Sequence, residues 1–291
     1  MVNIESTCEI LLVRGVRYNV RHWGRPGAPV FFLLHGWMDS SPTFQFVVES
    51  LVREWHVIAP DWRGYGASEW LGRPYWFPDY YADLEALLDH YSPGRPARLV
   101  GHSMGANIAA GYAGVRPQRV AQLVMIDFLG LMSNAVDEAP RRLQSWLDEV
   151  GRNPHLSKYA GQEILAQRFR HANPRLTAAR ATFLAHEVSC QLPDGRVHLA
   201  CDPWHKLTSP NLYRVEDSMA CWQKITAPVL MVLAEQGFVQ QRLGLDSPEC
   251  RRRLAAFPDL RVVTIADAGH NVQHDQPEQL AAVLEDFLHN S

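Results

Sequence analysis

A mostly parallel α/β sheet interrupted by a helical insertion is the architecture this 291-residue sequence predicts. Three observations predict it. Predominantly apolar runs of strand length recur at 30–34, 98–100, 120–126 and 229–233, as expected of strands covered on both faces. Helical spacings at 44–53, 78–91 and 104–114 lie between them, so strand and helix alternate in the rhythm of βαβ units. That rhythm stops at residue 131 and resumes after 223. The segment between holds amphipathic stretches at 140–150, 162–171 and 178–188 and no good buried strand.

Taken in order, 9–13 and 16–22 alternate as strands around Arg14-Gly15, a hairpin turn in which glycine supplies the positive φ. A strand at 55–59 follows the helical spacing of 44–53. The helix at 78–91 gathers Leu84, Leu87 and Leu88 on one side and carries acidic residues in its first half. The strand at 98–100 ends at Gly101, and a helix of small residues begins at Met104. A last strand at 261–265 and a helix at 277–288 close the chain. The core is therefore expected over 1–130 and 224–291, with a helical cap over 131–223. The cap lies between two strands whose C-terminal ends border the crevice of such sheets.

Composition narrows the function classes. With 47% hydrophobic and 20% charged residues the chain has material for a large core, and its net charge is −3. The basic run Arg251-Arg252-Arg253 is short, which argues against a nucleic-acid or anionic-membrane surface. No apolar run approaches the roughly 20 residues that span a bilayer. Residues 1–6 lack a basic stretch followed by an apolar one, so no secretory leader is expected. Five scattered cysteines form no C-x-x-C pair and suit neither a disulfide framework nor a zinc ribbon. The expectation is a cytoplasmic protein whose partner is a small-molecule substrate, not nucleic acid or membrane. A homodimer is compatible with this composition.

Chemistry concentrates at the strand ends. Gly101-His102-Ser103-Met104-Gly105 is a G-x-S-x-G set between a strand and a helix, where a sharp turn lifts the serine hydroxyl out of the sheet. The bland alternative is a serine N-cap. A serine nucleophile needs a base, and His270 follows the last strand, on a loop that reaches the same sheet edge. His274, one helical turn later, is the decoy. Two carboxylates compete to orient His270. Asp127 ends the apolar strand 120–126, and Glu235 follows the strand 229–233, where no aspartate stands. Asp127 is preferred, because a carboxylate at the tip of a buried strand must find a partner. The amides of Trp37 and Met104 can face an oxyanion, and His35, Gly36, His102 and Phe128 are expected to line the pocket. Gly64 and Gly66 give G-x-G, but the third glycine of a dinucleotide loop is replaced by Glu69, so this stretch reads as a structural turn tied down by Arg63. No metal-ligand spacing is present, and no metal is expected.

The series His35-Gly36, Asp61-x-Arg63-Gly64-x-Gly66-x-Ser68, Gly101–Gly105 and Gly269-His270 resembles the α/β-hydrolase superfamily over nearly the full chain. Within it the sequence looks most like the serine-hydrolase-like branch, through His35-Gly36-Trp37-Met38-Asp39 and Gly269-His270-Asn271-Val272-Gln273-His274. The resemblance implies Ser103 as nucleophile, His270 as base, an oxyanion hole from the Trp37 and Met104 amides, a helical cap and no cofactor. It departs at 234–239, where the family's usual aspartate is missing. One group of haloalkane dehalogenases carries the acid at the end of the preceding core strand, and Met125-Ile126-Asp127-Phe128 is similar to that placement. Dehalogenases use aspartate where Ser103 stands, which disfavours dehalogenation. The same segments also resemble cofactor-free dioxygenases that use a His–Asp base, although Met104 departs from their pattern. The expected activity is cleavage of an ester or thioester of a small hydrophobic or aromatic substrate through an acyl-serine. The alternatives are the dioxygenase and a ligand-binding homologue without turnover.

Overall fold

In the computed structural model, which describes residues 4–289, the apolar runs pair into one eight-stranded sheet. Residues 1–3, part of the stretch read above for a leader, lie outside the described residues. Strands β1 (Ser6–Val13) and β2 (Val16–Trp23) form the antiparallel hairpin, and Arg14 and Gly15 take φ of 49° and 82°, as a two-residue primed turn demands. Then come β3 (Val30–Leu34), α1 (Gln45–Glu49), β4 (His56–Pro60), α2 (Pro78–Tyr91), β5 (Ala97–His102), α3 (Met104–Val115) and β6 (Val120–Ile126). The inserted segment carries α4 (Ala139–Val150), α5 (Gln162–Ala172), α6 (Ala178–Glu187), the small hairpin β7 (Ser189–Gln191) and β8 (Val197–Leu199), and α7 (Val215–Trp222). The sheet is completed by β9 (Val229–Ala234), α8 (Phe238–Leu243), α9 (Pro248–Leu254), β10 (Leu260–Ile265), α10 (Val272–Asp275) and α11 (Pro277–His289).

The strand order is β1-β2-β4-β3-β5-β6-β9-β10, parallel from β4 to β10. The chain builds outward from β3 to β4, then returns to β5 on the other side. That reversal opens a crevice at the carboxyl ends of β3 and β5, where Leu34 pairs with Gly101. Apolar side chains cover both faces. Leu84, Leu88, Ile108 and Trp222 of α2, α3 and α7 pack on one, and Val47, Leu280, Leu284 and Phe287 of α1 and α11 on the other. A third, smaller cluster joins Phe46 of the core to Leu165, Leu184 and Val188 of the insert.

Several elements differ from the sequence reading. The helix expected over 44–53 ends at Glu49, because the Glu285 carboxylate takes the amides of Val52 and Arg53 and turns the chain away. The hairpin β7–β8 was not expected; each strand has three residues, too few for a period to show. Helix α7 lies within the inserted segment yet packs against α3, so closely that a Cβ on Gly114 would stand 2.2 Å from the Cys221 carbonyl. Helices α8 and α9, of six and seven residues, were likewise unread.

Buried charge ties loops to the core. Arg63 grips Asp83 through Nε and Nη2 at 2.5 and 2.6 Å, and the Tyr18 hydroxyl donates to the same carboxylate. Arg253 is equally enclosed. Its Nε donates to Glu249, and its Nη1 donates to the carbonyls of Leu129 and Leu131, each at 2.9 Å, at the root of the insert. Among the described residues no helix is long and apolar enough to cross a membrane.

Candidate active site

Ser103 sits between β5 and α3 with φ 52° and ψ −114°, a strained conformation that tight packing must hold. The flanking glycines allow that packing. A Cβ on Gly105 would lie 2.0 Å from the Leu34 carbonyl, and one on Gly101 would lie 2.5 Å from Gly105 itself. Neither position has room for a side chain.

The structure brings Ser103, His270 and Asp127 together from three different strand ends. The Asp127 carboxylate is fully buried and accepts from His270 Nδ1 at 2.7 Å. A carboxylate there keeps the proton on Nδ1, which leaves Nε2 free to accept from the Ser103 hydroxyl at 3.0 Å. Asp127 has its own support: its Oδ2 also accepts from the Phe238 amide at 2.6 Å, and its Oδ1 from the Ala234 amide at 3.3 Å. Glu235 is elsewhere. It is exposed, and its carboxylate accepts from the Asp267 amide at 2.9 Å.

Gly237 accounts for that choice between strand ends. A Cβ built on it would stand 2.4 Å from Asp127 Oδ2, so the carboxylate occupies the space a side chain at 237 would need. Nothing in the sequence marked Gly237 beyond its place after an apolar strand. His102 holds His270 from beneath: its Nε2 donates to the His270 carbonyl at 2.8 Å, and burial keeps its ring well below the usual histidine range. Asp275 accepts from the Gly269 amide at 2.8 Å and from Asn173 of the insert at 2.6 Å, joining the His270 loop to the end of α5.

A cavity of about 230 Å³ opens over Ser103 and His270. Gly36, Trp37 and His102 line it as expected, together with Asp39, His274 and insert residues such as Phe169 and Leu184. Two expected wall residues are not there. His35 is buried behind the strand, where its Nε2 accepts from the Trp62 amide and its Nδ1 donates to the Gly36 carbonyl; burial lowers it to about 4. Phe128 is buried in the core and stacks on Phe238, whose ring in turn lies 5.4 Å from that of His270. The decoy His274 donates from Nε2 to Thr43 at 2.7 Å and is lowered to about 3, first by burial.

The backbone at Gly36 runs against Ser103: a Cβ there would lie 3.2 Å from the Ser103 Cβ. The next amide belongs to Trp37, and the Met104 amide opens α3, where N–H groups lack a helical acceptor. The Trp37 indole donates to the His205 carbonyl at 3.2 Å. Beyond it lies a second, larger cleft of about 460 Å³, lined by Met104 and by aromatic rings that include Tyr75, Trp76, Trp146 and Trp204. Other aromatics of the insert simply pack, Phe183 on Phe46 and Trp222 on Phe257. No group of three or more His, Cys, Asp or Glu among the described residues is arranged to hold a metal ion.

Comparison with known proteins agrees with this geometry at the level of the fold. A family profile described as alpha/beta hydrolase fold matches residues 29–277. A serine hydrolase-like protein of Danio rerio is 25% identical over 276 residues, covering 91% of this chain and 83% of that one. The 2-(acetamidomethylene)succinate hydrolase of Mesorhizobium japonicum is 27% identical over 274 residues, covering 94% and 92%. Among solved structures, the thioesterase domain from the curacin biosynthetic pathway superimposes with a TM-score of 0.86 at 24% identity, over 97% of this chain and 99% of that one.

Proposed function

Because the chain belongs to the alpha/beta-hydrolase-fold family, we propose that it is a serine hydrolase which cleaves an ester or thioester of a small hydrophobic or aromatic substrate. One observation carries this reading: the unbroken chain of hydrogen bonds from Ser103 Oγ through His270 to buried Asp127, at 3.0 and 2.7 Å. In the first step Ser103 Oγ attacks the carbonyl carbon while its proton passes to His270 Nε2. The carbonyl oxygen becomes an oxyanion against the amides of Trp37 and Met104. The imidazolium, stabilised by Asp127, then gives its proton to the departing alcohol or thiol, leaving acyl-Ser103. A water activated by His270 releases the acid and restores the serine. The segment 131–223 acts as the cap, whose Phe169 and Leu184 supply an apolar wall to the cavity. The substrate is the small-molecule partner, and the chemistry uses no cofactor.

The test is fluorophosphonate labelling of the pure protein beside Ser103→Ala, with turnover of p-nitrophenyl acetate and butyrate in parallel. Labelling and turnover in the wild type, both lost in a folded Ser103→Ala, are expected, with kcat/KM falling by at least about 10³-fold. A folded wild type that neither labels nor turns over overturns the reading. Oxygen uptake dependent on His270 but not on Ser103 would replace it.

A further inference from the structure

The cavity over Ser103 has an uneven charge inventory. Asp39 lines it with the nucleophile and the base, and among its described lining residues none is lysine or arginine. Its two buried imidazoles, His102 and His274, are both held below the usual histidine range, chiefly by burial. Guanidiniums on the surrounding elements are engaged or turned outward. Arg175 donates to Asp267 at 3.0 Å, Arg180 lies behind the lining with its Nη2 on Glu278 at 3.0 Å and its Nη1 on the His274 carbonyl at 2.9 Å, and Arg168 and Arg170 of α5 are exposed and outside the lining. Asp39 itself is anchored, accepting from the Ser40 amide at 2.9 Å and hydrogen-bonded by the Thr43 hydroxyl.

Resting on the serine-hydrolase reading, we infer that this cavity selects substrates whose acyl group is neutral or positively charged and rejects those bearing a carboxylate, with Asp39 as the selecting residue. A second carboxylate entering here would find no cation and would lose its water, while a fixed negative charge faced it from Asp39. A neutral chain meets no such penalty, and a quaternary ammonium is attracted by the same Asp39 carboxylate, which offsets its loss of water. The Mesorhizobium relative, by its name, acts on a succinate, a dianion. This chain parts from it in substrate charge although the two share a fold. Desolvation raises the Asp39 carboxyl to about 6, so it is ionised at pH 8.

Three p-nitrophenyl esters of matched acyl length test this at about pH 8: hexanoate, the adipate monoester, and 5-(trimethylammonio)pentanoate. The wild type is expected to favour hexanoate over adipate by about 30-fold in kcat/KM and to accept the cationic ester within about threefold of hexanoate. Asp39→Asn should cut the hexanoate-to-adipate ratio to about five or less by raising the adipate value, and Asp39→Glu should restore it. A wild-type ratio near one, or a ratio unchanged in Asp39→Asn because all esters fall together, overturns the inference. Calorimetric binding of hexanoate, hexanol and hexyltrimethylammonium to Ser103→Ala gives a reading free of catalysis. If no ester is cleaved, the hydrolase reading fails, and the charge preference stands or falls on whether hexanoate binds more weakly than the other two.

Discussion

The sheet and the insert contribute to one cavity in different ways. Every residue of β9 is buried, whereas α4 of the insert buries none of its residues. On the sheet side, Ser103 and Asp127 hang from strands paired on both sides, β5 and β6, while His270 follows the edge strand β10 and its loop is held by hydrogen bonds from its ring to Asp127, from His102 to its carbonyl and from the Gly269 amide to Asp275. On the insert side, the cavity is met by Phe169, Leu176 and Leu184, which rest on a small apolar cluster and on a few bonds such as Asn173 to Asp275. The lesson is a division of labour. Groups that must be placed within a fraction of an ångström belong to the part that cannot yield, and groups that need only exclude water and fit a substrate belong to the part that can.

If that division holds, substitutions in the two regions should fail differently. The largest effect is expected from Asp127→Asn, which keeps the shape but lets His270 take the wrong tautomer; kcat should fall by about 10³- to 10⁴-fold. Glu235→Gln, one strand away, should stay within about twofold of wild type in the same ester assay. The opposite pattern would move the acid to Glu235. A transplant sharpens the point. Gly237 has φ −85°, which any residue can adopt, but a Cβ there would meet the Asp127 carboxylate at 2.4 Å and the Ala234 Cβ at 2.6 Å. Asp127→Ala combined with Gly237→Asp and with Ala234→Gly, which clears the second contact, should recover roughly tenfold over Asp127→Ala alone, whereas Gly237→Asp by itself should impair the wild type.

Phe169→Ala should act on binding: KM for butyrate esters rising about fivefold with kcat held within about twofold. A kcat loss as large as that of Asp127→Asn would break the comparison. The smallest effect is one of stability. His205, stacked between Tyr65 and Tyr75 at the seam with the insert, and His274 are each lowered to about 3, and His35 to about 4, all chiefly by burial. Histidines depressed in the folded state contribute stability that is complete above the unfolded value of 6.5 and is lost as pH falls toward 4 and 3. Asp39, raised to about 6, works in the opposite direction, one group against three. Urea midpoints measured between pH about 6.5 and 5.5 should therefore show a loss of at least about 1 kcal/mol. A flat profile would mean that these rings are hydrated.

Much of this was legible in the sequence, and the reasons are local. Apolar runs such as 123–126 and 229–233 have strand length and alternate with helical segments, and a serine between two glycines after such a strand has few other uses. Asp127 stood out because a carboxylate at the end of an apolar strand needs a partner. What was missed was short or long-range. The β7–β8 hairpin is too brief to carry a period. The role of Gly237 is a vacancy defined by Asp127, 110 positions earlier by numbering (237 − 127), and no local pattern encodes it. His35 and Phe128 were assigned to the pocket on proximity in sequence, but a strand end sends successive side chains to opposite sides, and theirs turn inward.

Arg253 gives the root of the insert a mechanical property. Asp127 is followed within four residues by the carbonyls of Leu129 and Leu131 that this guanidinium clamps, and Gly130 between them has φ 80°, where a Cβ would stand 3.0 Å from the Tyr213 hydroxyl and 3.2 Å from Arg253 Nη1. Such a pin fixes the pivot beyond residue 131. A displacement of the helices beyond residue 131 would therefore meet this clamp before it reached Asp127.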